Sequence, residues 1–141
     1  MELTDKNEQP QEVISRKLKD AFLDDYAAWA NKGITQGITI SVNGVIYTGT
    51  IIGSSAWCDK MISAISSSGN TDEAKEAMTS YYNSMKEDFF SDVEKANLNI
   101  NFIHMDNVRI VSGNNIGTLS SLWRFKIDEI DGFSLGSWSQ S

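Results

Sequence analysis

The sequence predicts an α+β domain. The expected architecture is a small, strongly bent five-stranded antiparallel sheet or open barrel, with an N-terminal helix and a helical insertion between strands 2 and 3. Three observations carry this. Asn43-Gly44 lies between two alternating, β-branched runs within residues 38–52, a strong short-range hairpin signal. Apolar residues recur every three or four positions before that hairpin and again after it. From Leu98 onward the pattern returns to short alternating runs. The 141 residues fit a single domain, 1–141, with the polar ends 1–10 and 139–141 expected to fray.

The first helix is expected from about Gln11 to Asn31. Its stripe is Ile14, Leu18, Ala21, Phe22, Tyr26 and Trp29, and Gly33 is a plausible stop. Such a stripe faces a core or a partner. In the hairpin, a type I′ turn needs positive φ at both central residues, which Asn-Gly supplies. That turn pairs Val42 with Val45, Ile40 with Tyr47 and Ile38 with Gly49. Ile38, Ile40, Val42, Val45, Tyr47 and Ile51 then share one face. Gly49, a glycine inside a strand, marks a bend or a close backbone approach.

A helix is expected over Ala56–Ser66, with Met61, Ile62 and Ile65 in register, broken by Ser66-Ser67-Ser68-Gly69. Asn70 with Glu73 resembles a capping box. It opens a long helix to about Ala96, with stripe Ala74, Ala77, Met78, Tyr81, Met85, Phe89, Val93 and Ala96, widened by Tyr82 and Phe90. Leu98–Met105 alternates as a strand, and Val108–Val111 continues or resumes it. Ser112–Gly117 reads as a polar, glycine-rich loop. Leu122–Ile127 alternates again, Asp131-Gly132 reads as a turn, and Phe133–Trp138 as a last short strand.

Composition bounds the chemistry. Twelve basic and nineteen acidic side chains give a net charge of −7. From residue 97 onward only Arg109, Arg124 and Lys126 are basic, against Asp106, Asp128, Glu129 and Asp131. Such a balance opposes binding to nucleic acid and to anionic membranes, both of which draw on Lys and Arg. One cysteine and one histidine exclude an intramolecular disulfide and leave little for His-cluster metal sites or Ser/His/Asp triads. With no apolar run of membrane-spanning length and no apolar leader, the cytoplasm is the expected location.

His104 reads as a partly buried structural residue on a face shared with Phe102 and Ile100. Cys58, beside Trp57 near a helix start, reads as a buried small apolar residue more readily than as a reactive thiol. Asp128, Glu129 and Asp131 lack EF-hand spacing and read as solvated turn residues. Gly113-Asn114-Asn115-Ile116-Gly117 lacks the Lys-Ser/Thr of a P-loop. Nothing here assembles a catalytic set, a cofactor site or a metal site. Trp123, Phe133 and Trp138 are the candidate protein-interaction residues, because large amphipathic aromatics anchor interfaces as well as filling cores.

Two resemblances add to this reading. The run ITISVNGVIYTGTIIG resembles the first signature of Sm-like (LSm) proteins, in which Asn-Gly is followed after four residues by Gly; Asn43-Gly44 and Gly49 stand at that spacing. It implies a five-stranded, strongly bent Sm-like barrel, often assembled in rings. The acidic and Met-Asn residues expected after the second strand are absent from Gly53–Trp57. The Arg-Gly of the second signature is absent from Ile127–Gly132.

A broader resemblance is to the gas-vesicle accessory protein U family. It is carried by Gly37–Gly44, Gly49–Gly53, Phe102–Val108, Leu122-Trp123-Arg124 and Ile130–Gly136. It implies a small, non-enzymatic cytoplasmic bacterial protein that self-associates, contacts the shell proteins of gas vesicles and clusters or regulates those vesicles. It brings no catalytic residues, cofactors or metals. The alternatives are an Sm-like oligomeric nucleic-acid-binding module and a small ligand-binding protein or enzyme using His104 and the acidic cluster.

Overall fold

The computed structural model describes residues 18–112, 115–118 and 121–138. Helix α1 spans Ala21–Asn31 and starts where Asp20, in extended backbone, caps it; the carboxylate accepts from the Phe22 N–H at 2.8 Å. Within the described residues the helix is therefore shorter than expected, and Leu18–Asp20 precede it; residues 11–17, Ile14 among them, lie outside. Its buried face is Leu23, Ala27 and Ala30. Leu18, Phe22 and Trp29 of the expected stripe are exposed, at 83%, 65% and 44%. Small residues at 27 and 30 let the helix axis lie close to its neighbours, so the face with less side chain is the one that packs.

Strands β1 (Gln36–Val42) and β2 (Val45–Ile52) form the expected hairpin. Val42 pairs with Val45, Ile40 with Tyr47 and Ile38 with Gly49. Asn43 and Gly44 have φ of 50° and 83°, as a type I′ turn demands. At Gly49 the register with strand β3 (Phe102–Ser112) shifts between Thr48 and Thr50. Asn107, at φ 54°, is the extra residue of this bulge. A Cβ at Gly49 would lie 2.8 Å from the Asp106 carbonyl oxygen, so the glycine marks a close backbone approach.

The sheet has more strands than expected. Strand β4 (Asn115–Thr118) pairs with the Arg109–Ser112 end of β3, and β5 (Trp123–Lys126) with its Phe102–Met105 end. Strand β6 (Gly132–Leu135) pairs with β1 over Ile38–Ser41. The order is β4-β3-β2-β1-β6, with β5 also on β3, six antiparallel strands among the described residues. Of the predicted loop Ser112–Gly117, Ser112 ends β3 and Asn115–Gly117 belong to β4, because β5 covers only half of the long β3 and the other half still needs hydrogen-bond partners. Gly132 begins a strand instead of completing a turn, and that strand stops at Leu135. No described strand joins β6 to β4 or β5, so the sheet is open among the described residues and does not support the Sm-like barrel alternative.

Between β2 and β3 stands the helical insertion. Helix α2 spans Ser54–Ser66, α3 Asp72–Phe89 and the single turn α4 Val93–Ala96. The cap of α3 is Thr71, whose hydroxyl accepts from the Ala74 N–H at 3.2 Å, in place of the expected Asn70. The long helix ends at Phe89 because Asp92 starts a new turn, accepting from the Lys95 N–H at 2.8 Å.

Alternation along β2 divides the core. Ile51 joins one cluster with Leu23, Ala27, Ile38, Ile40, Ile103 and Met105, under α1. Its neighbour Ile52 points the other way, to Trp57 and Cys58 of α2, with Met61, Tyr82 and Phe90 packed around them. Each fully buried Ile or Leu contributes roughly 1.5–3 kcal/mol of transfer free energy. Helix α3 buries no residue completely, and its expected core stripe is largely open: Met78, Tyr81 and Phe89 are exposed. Among the described residues no helix is long and apolar enough to cross a membrane.

Candidate functional site

Two of the buried polar side chains, Ser54 and His104, meet partners from other elements where the end of α1, the start of α2 and strands β3 and β5 come together. Gly53 makes this junction possible. A Cβ there would lie 2.8 Å from the Ala30 carbonyl oxygen, so only glycine lets α2 begin against the last turn of α1. Gly53 offers α2 no side-chain cap. Asn31 supplies one from the neighbouring helix: its Oδ1 accepts from the Ser54 N–H at 2.7 Å, and its Nδ2 donates to Asn97 Oδ1 at 2.7 Å.

His104 sits beside this cap, 5% exposed. Arg124 Nε donates to His104 Nε2 at 3.1 Å, so that nitrogen accepts and the ring proton resides on Nδ1, 3.2 Å from Ser54 Oγ. The Trp57 ring centroid is 4.9 Å and the Phe90 centroid 6.3 Å from the imidazole. Burial, and then the Arg124 charge, lower its pKa from 6.5 to about 3. The ring is neutral at physiological pH, and both nitrogens are engaged. A general base needs a free nitrogen lone pair aimed at the proton it takes, and here the lone pair is held by Arg124. The Ser54–His104 pair runs with the imidazole as donor, opposite to an activated serine. This is a structural histidine, as its alternating position suggests.

Arg124 completes the group. Its Cζ stands 3.6 Å from the Phe102 ring centroid, a cation–π geometry. Beside it lies a recess of about 50 Å³ bounded by Asn31, Ser54, Asn99, Asn101, His104 and Arg124. An adjoining cleft of about 380 Å³ shares Asn31, Phe90 and Ala96 as a common wall. Cys58 is buried behind, at 2% exposure, and burial pushes its thiol pKa up. That is the opposite of what a reactive thiolate needs.

The acidic cluster is dispersed. Asp128 and Glu129 sit in a 3₁₀ turn, Ile127–Glu129. Asp131 instead fastens the hairpin turn: its carboxylate accepts from the Asn43 N–H at 2.8 Å, and its own N–H donates to the Ser41 carbonyl at 2.8 Å. Among the described residues no three His, Cys, Asp or Glu side chains are grouped to hold a metal ion. Of the glycine-rich segment, Gly113 and Asn114 lie outside the described residues, and Asn115–Gly117 belong to β4.

The three candidate interaction residues are not together. Trp123 is half-buried, stacked on Phe125 with centroids 5.7 Å apart and rings 16° from parallel. Phe133 is half-buried edge-on to Tyr26 at 5.7 Å. Trp138 is 51% exposed while its N–H donates to Thr48 Oγ1 at 2.7 Å. The structure adds exposed apolar residues that sequence reasoning assigned to the core or passed over: Phe22, Trp29, Ile34 and Leu135 on the α1 side, and Met78, Tyr81 and Phe89 on α3. The signal for the first group is Ala27 and Ala30, whose small size identifies the packed face of α1. Arg124, Ser54 and Asn31 carry no local signal, since each is an ordinary polar position on its own element.

Among protein families, the one described as "Gas vesicle protein GvpU-like" matches residues 20–138. No curated protein and no solved structure matches the chain.

Proposed function

We propose, on the premise that this chain belongs to the GvpU-like gas vesicle protein family, that it is a non-enzymatic cytoplasmic accessory protein acting by self-association and by contact with vesicle shell proteins. Family membership over residues 20–138 carries the reading. The exposed large apolar side chains support its contact part. Trp29, Leu135 and Trp138 are each 44–51% exposed, and exposed aromatic and aliphatic groups are what interfaces bury. Trp123, Phe133 and Trp138 are the proposed contact residues, with Trp138 the most accessible of them.

Two measurements test this. Light scattering behind size exclusion, over a concentration series, reads self-association; growth of mass with concentration is expected. Co-flotation with purified gas vesicles reads shell contact, because bound protein rises with the buoyant particles. Trp138→Ser is expected to weaken either readout without lowering the melting temperature. A strict monomer that stays out of the floating layer overturns the proposal.

A further inference from the structure

We propose that the recess beside Arg124, between Asn31, Asn101 and His104, is a binding site for a small carboxylate. Among the described residues Arg124 has no carboxylate partner. One guanidinium nitrogen is taken by a neutral imidazole, and one face by the Phe102 ring. The terminal nitrogens keep their donors, and an arginine fork matches a carboxylate in a bidentate, charge-assisted pair.

The lining supports the same ligand chemistry. In a chain with nineteen acidic against twelve basic side chains, no Asp or Glu borders this recess. The side chains that do are amides, a hydroxyl, a neutral imidazole and the guanidinium. Lys19, whose charge is already paired with Asp24 at 3.3 Å, fixes the Asn101 side of the recess by donating to the Ile100 carbonyl and, at 3.5 Å, to Asn101 Oδ1. The volume of about 50 Å³ holds little more than one or two waters, each about 30 Å³ in the liquid, and so suits a carboxylate group. Phe90 and Phe102 form half-buried apolar walls, while Arg124, Asn99 and Asn101 are exposed, so the recess opens to solvent and a ligand can enter without a rearrangement. The site is separate from the exposed aromatic surfaces, so it stands or falls independently of the vesicle reading.

A carboxylate has two sources here, a free small acid or an acidic side chain of a partner chain. The test is a titration of the full chain at constant ionic strength, followed on the arginine Nε–H resonances by NMR. One arm uses sodium formate, the other a short blocked peptide with one aspartate. A saturable shift of the Arg124 Nε–H, with Arg109 unmoved, is expected with formate. In Arg124→Gln, which lacks that reporting proton, the shift that formate causes in the Asn101 side-chain amide of the native chain should be lost. Asn101→Asp, which leaves the Arg124–His104–Phe102 packing in place, sets a competing carboxylate in the recess and should weaken formate about tenfold or more, the effect of losing one charged hydrogen bond. Saturation by the peptide alone also supports a carboxylate site and assigns its source to a partner. No saturation in either arm, or equal formate binding by Asn101→Asp, overturns the proposal.

Discussion

Thr39 and Thr48 face each other across the first hairpin with their hydroxyl oxygens 3.0 Å apart. Both are buried, Thr48 completely. Thr39 Oγ1 donates to the Gly136 carbonyl at 2.9 Å, so its one proton is spent, and Thr48 must donate to it. Thr48 Oγ1 in turn accepts from the Trp138 N–H at 2.7 Å. A directed chain of three hydrogen bonds thus clamps the segment after β6 onto the sheet, and it places Trp138 at the surface.

Thr48→Val keeps the shape and removes the middle of that chain. It is expected to cost about 1–2 kcal/mol, since Trp138 N–H and Thr39 both lose a partner. Hydrogen exchange of the Trp138 amide should accelerate more than that of the β1–β2 amides. Equal protection of Trp138 in the variant contradicts the clamp.

Gly49→Ala and Gly53→Ala each push a Cβ to 2.8 Å from a backbone carbonyl oxygen. Neither carbonyl is the end of a flexible side chain, so the backbone must shift, and a loss of about 1–3 kcal/mol is expected for each. Gly132→Ala, which meets nothing within 4 Å, should change stability by less than about 0.5 kcal/mol. Urea midpoints of the three variants give the comparison.

His104 makes stability depend on pH in one direction. The folded imidazole takes its proton only near about 3, whereas the unfolded chain takes it near 6.5. Between those values the unfolded state holds the extra proton, so acid favours unfolding. The contribution is whole above pH 6.5 and is lost as pH falls toward 3. The loss attached to this residue between about pH 7 and pH 4.5 is roughly 2–3 kcal/mol. His104→Gln should flatten that stretch of the stability–pH curve, while the part due to carboxylates remains.

Cys58 is expected to resist thiol reagents in the native state. Its burial and raised thiol pKa leave little exposed thiolate,. Labelling should be slow in buffer and complete at once in denaturant. Fast native labelling would show that α2 opens readily from the sheet.

Local signals were legible where the physics is local. The Asn43-Gly44 turn sets its own φ angles, and the hairpin register follows from it residue by residue. Gly49 was legible as a close approach because a strand interior seldom gives up a side chain without such a reason. Helix existence was legible from period alone, but boundaries moved where one polar side chain intervened: Asp20, Thr71 and Asp92 each cap a helix at a place the apolar stripe does not mark. The strand β4 was missed because its composition is that of a loop, and what makes it a strand is the unpaired half of β3 beside it.

By itself the sequence determined the α+β class, the first hairpin with its register, the helical insertion and the family. These rest on period, turn chemistry and motif, all read within a few neighbouring residues. The tertiary structure alone decided which face of α1 is buried, that α3 keeps its apolar stripe open, that the sheet does not close, and that Arg124, Ser54 and Asn31 gather at His104. The physical reason is distance along the chain. Arg124 lies twenty residues and Ser54 fifty residues from His104, and no local preference encodes a hydrogen bond whose two ends meet only after the sheet has formed.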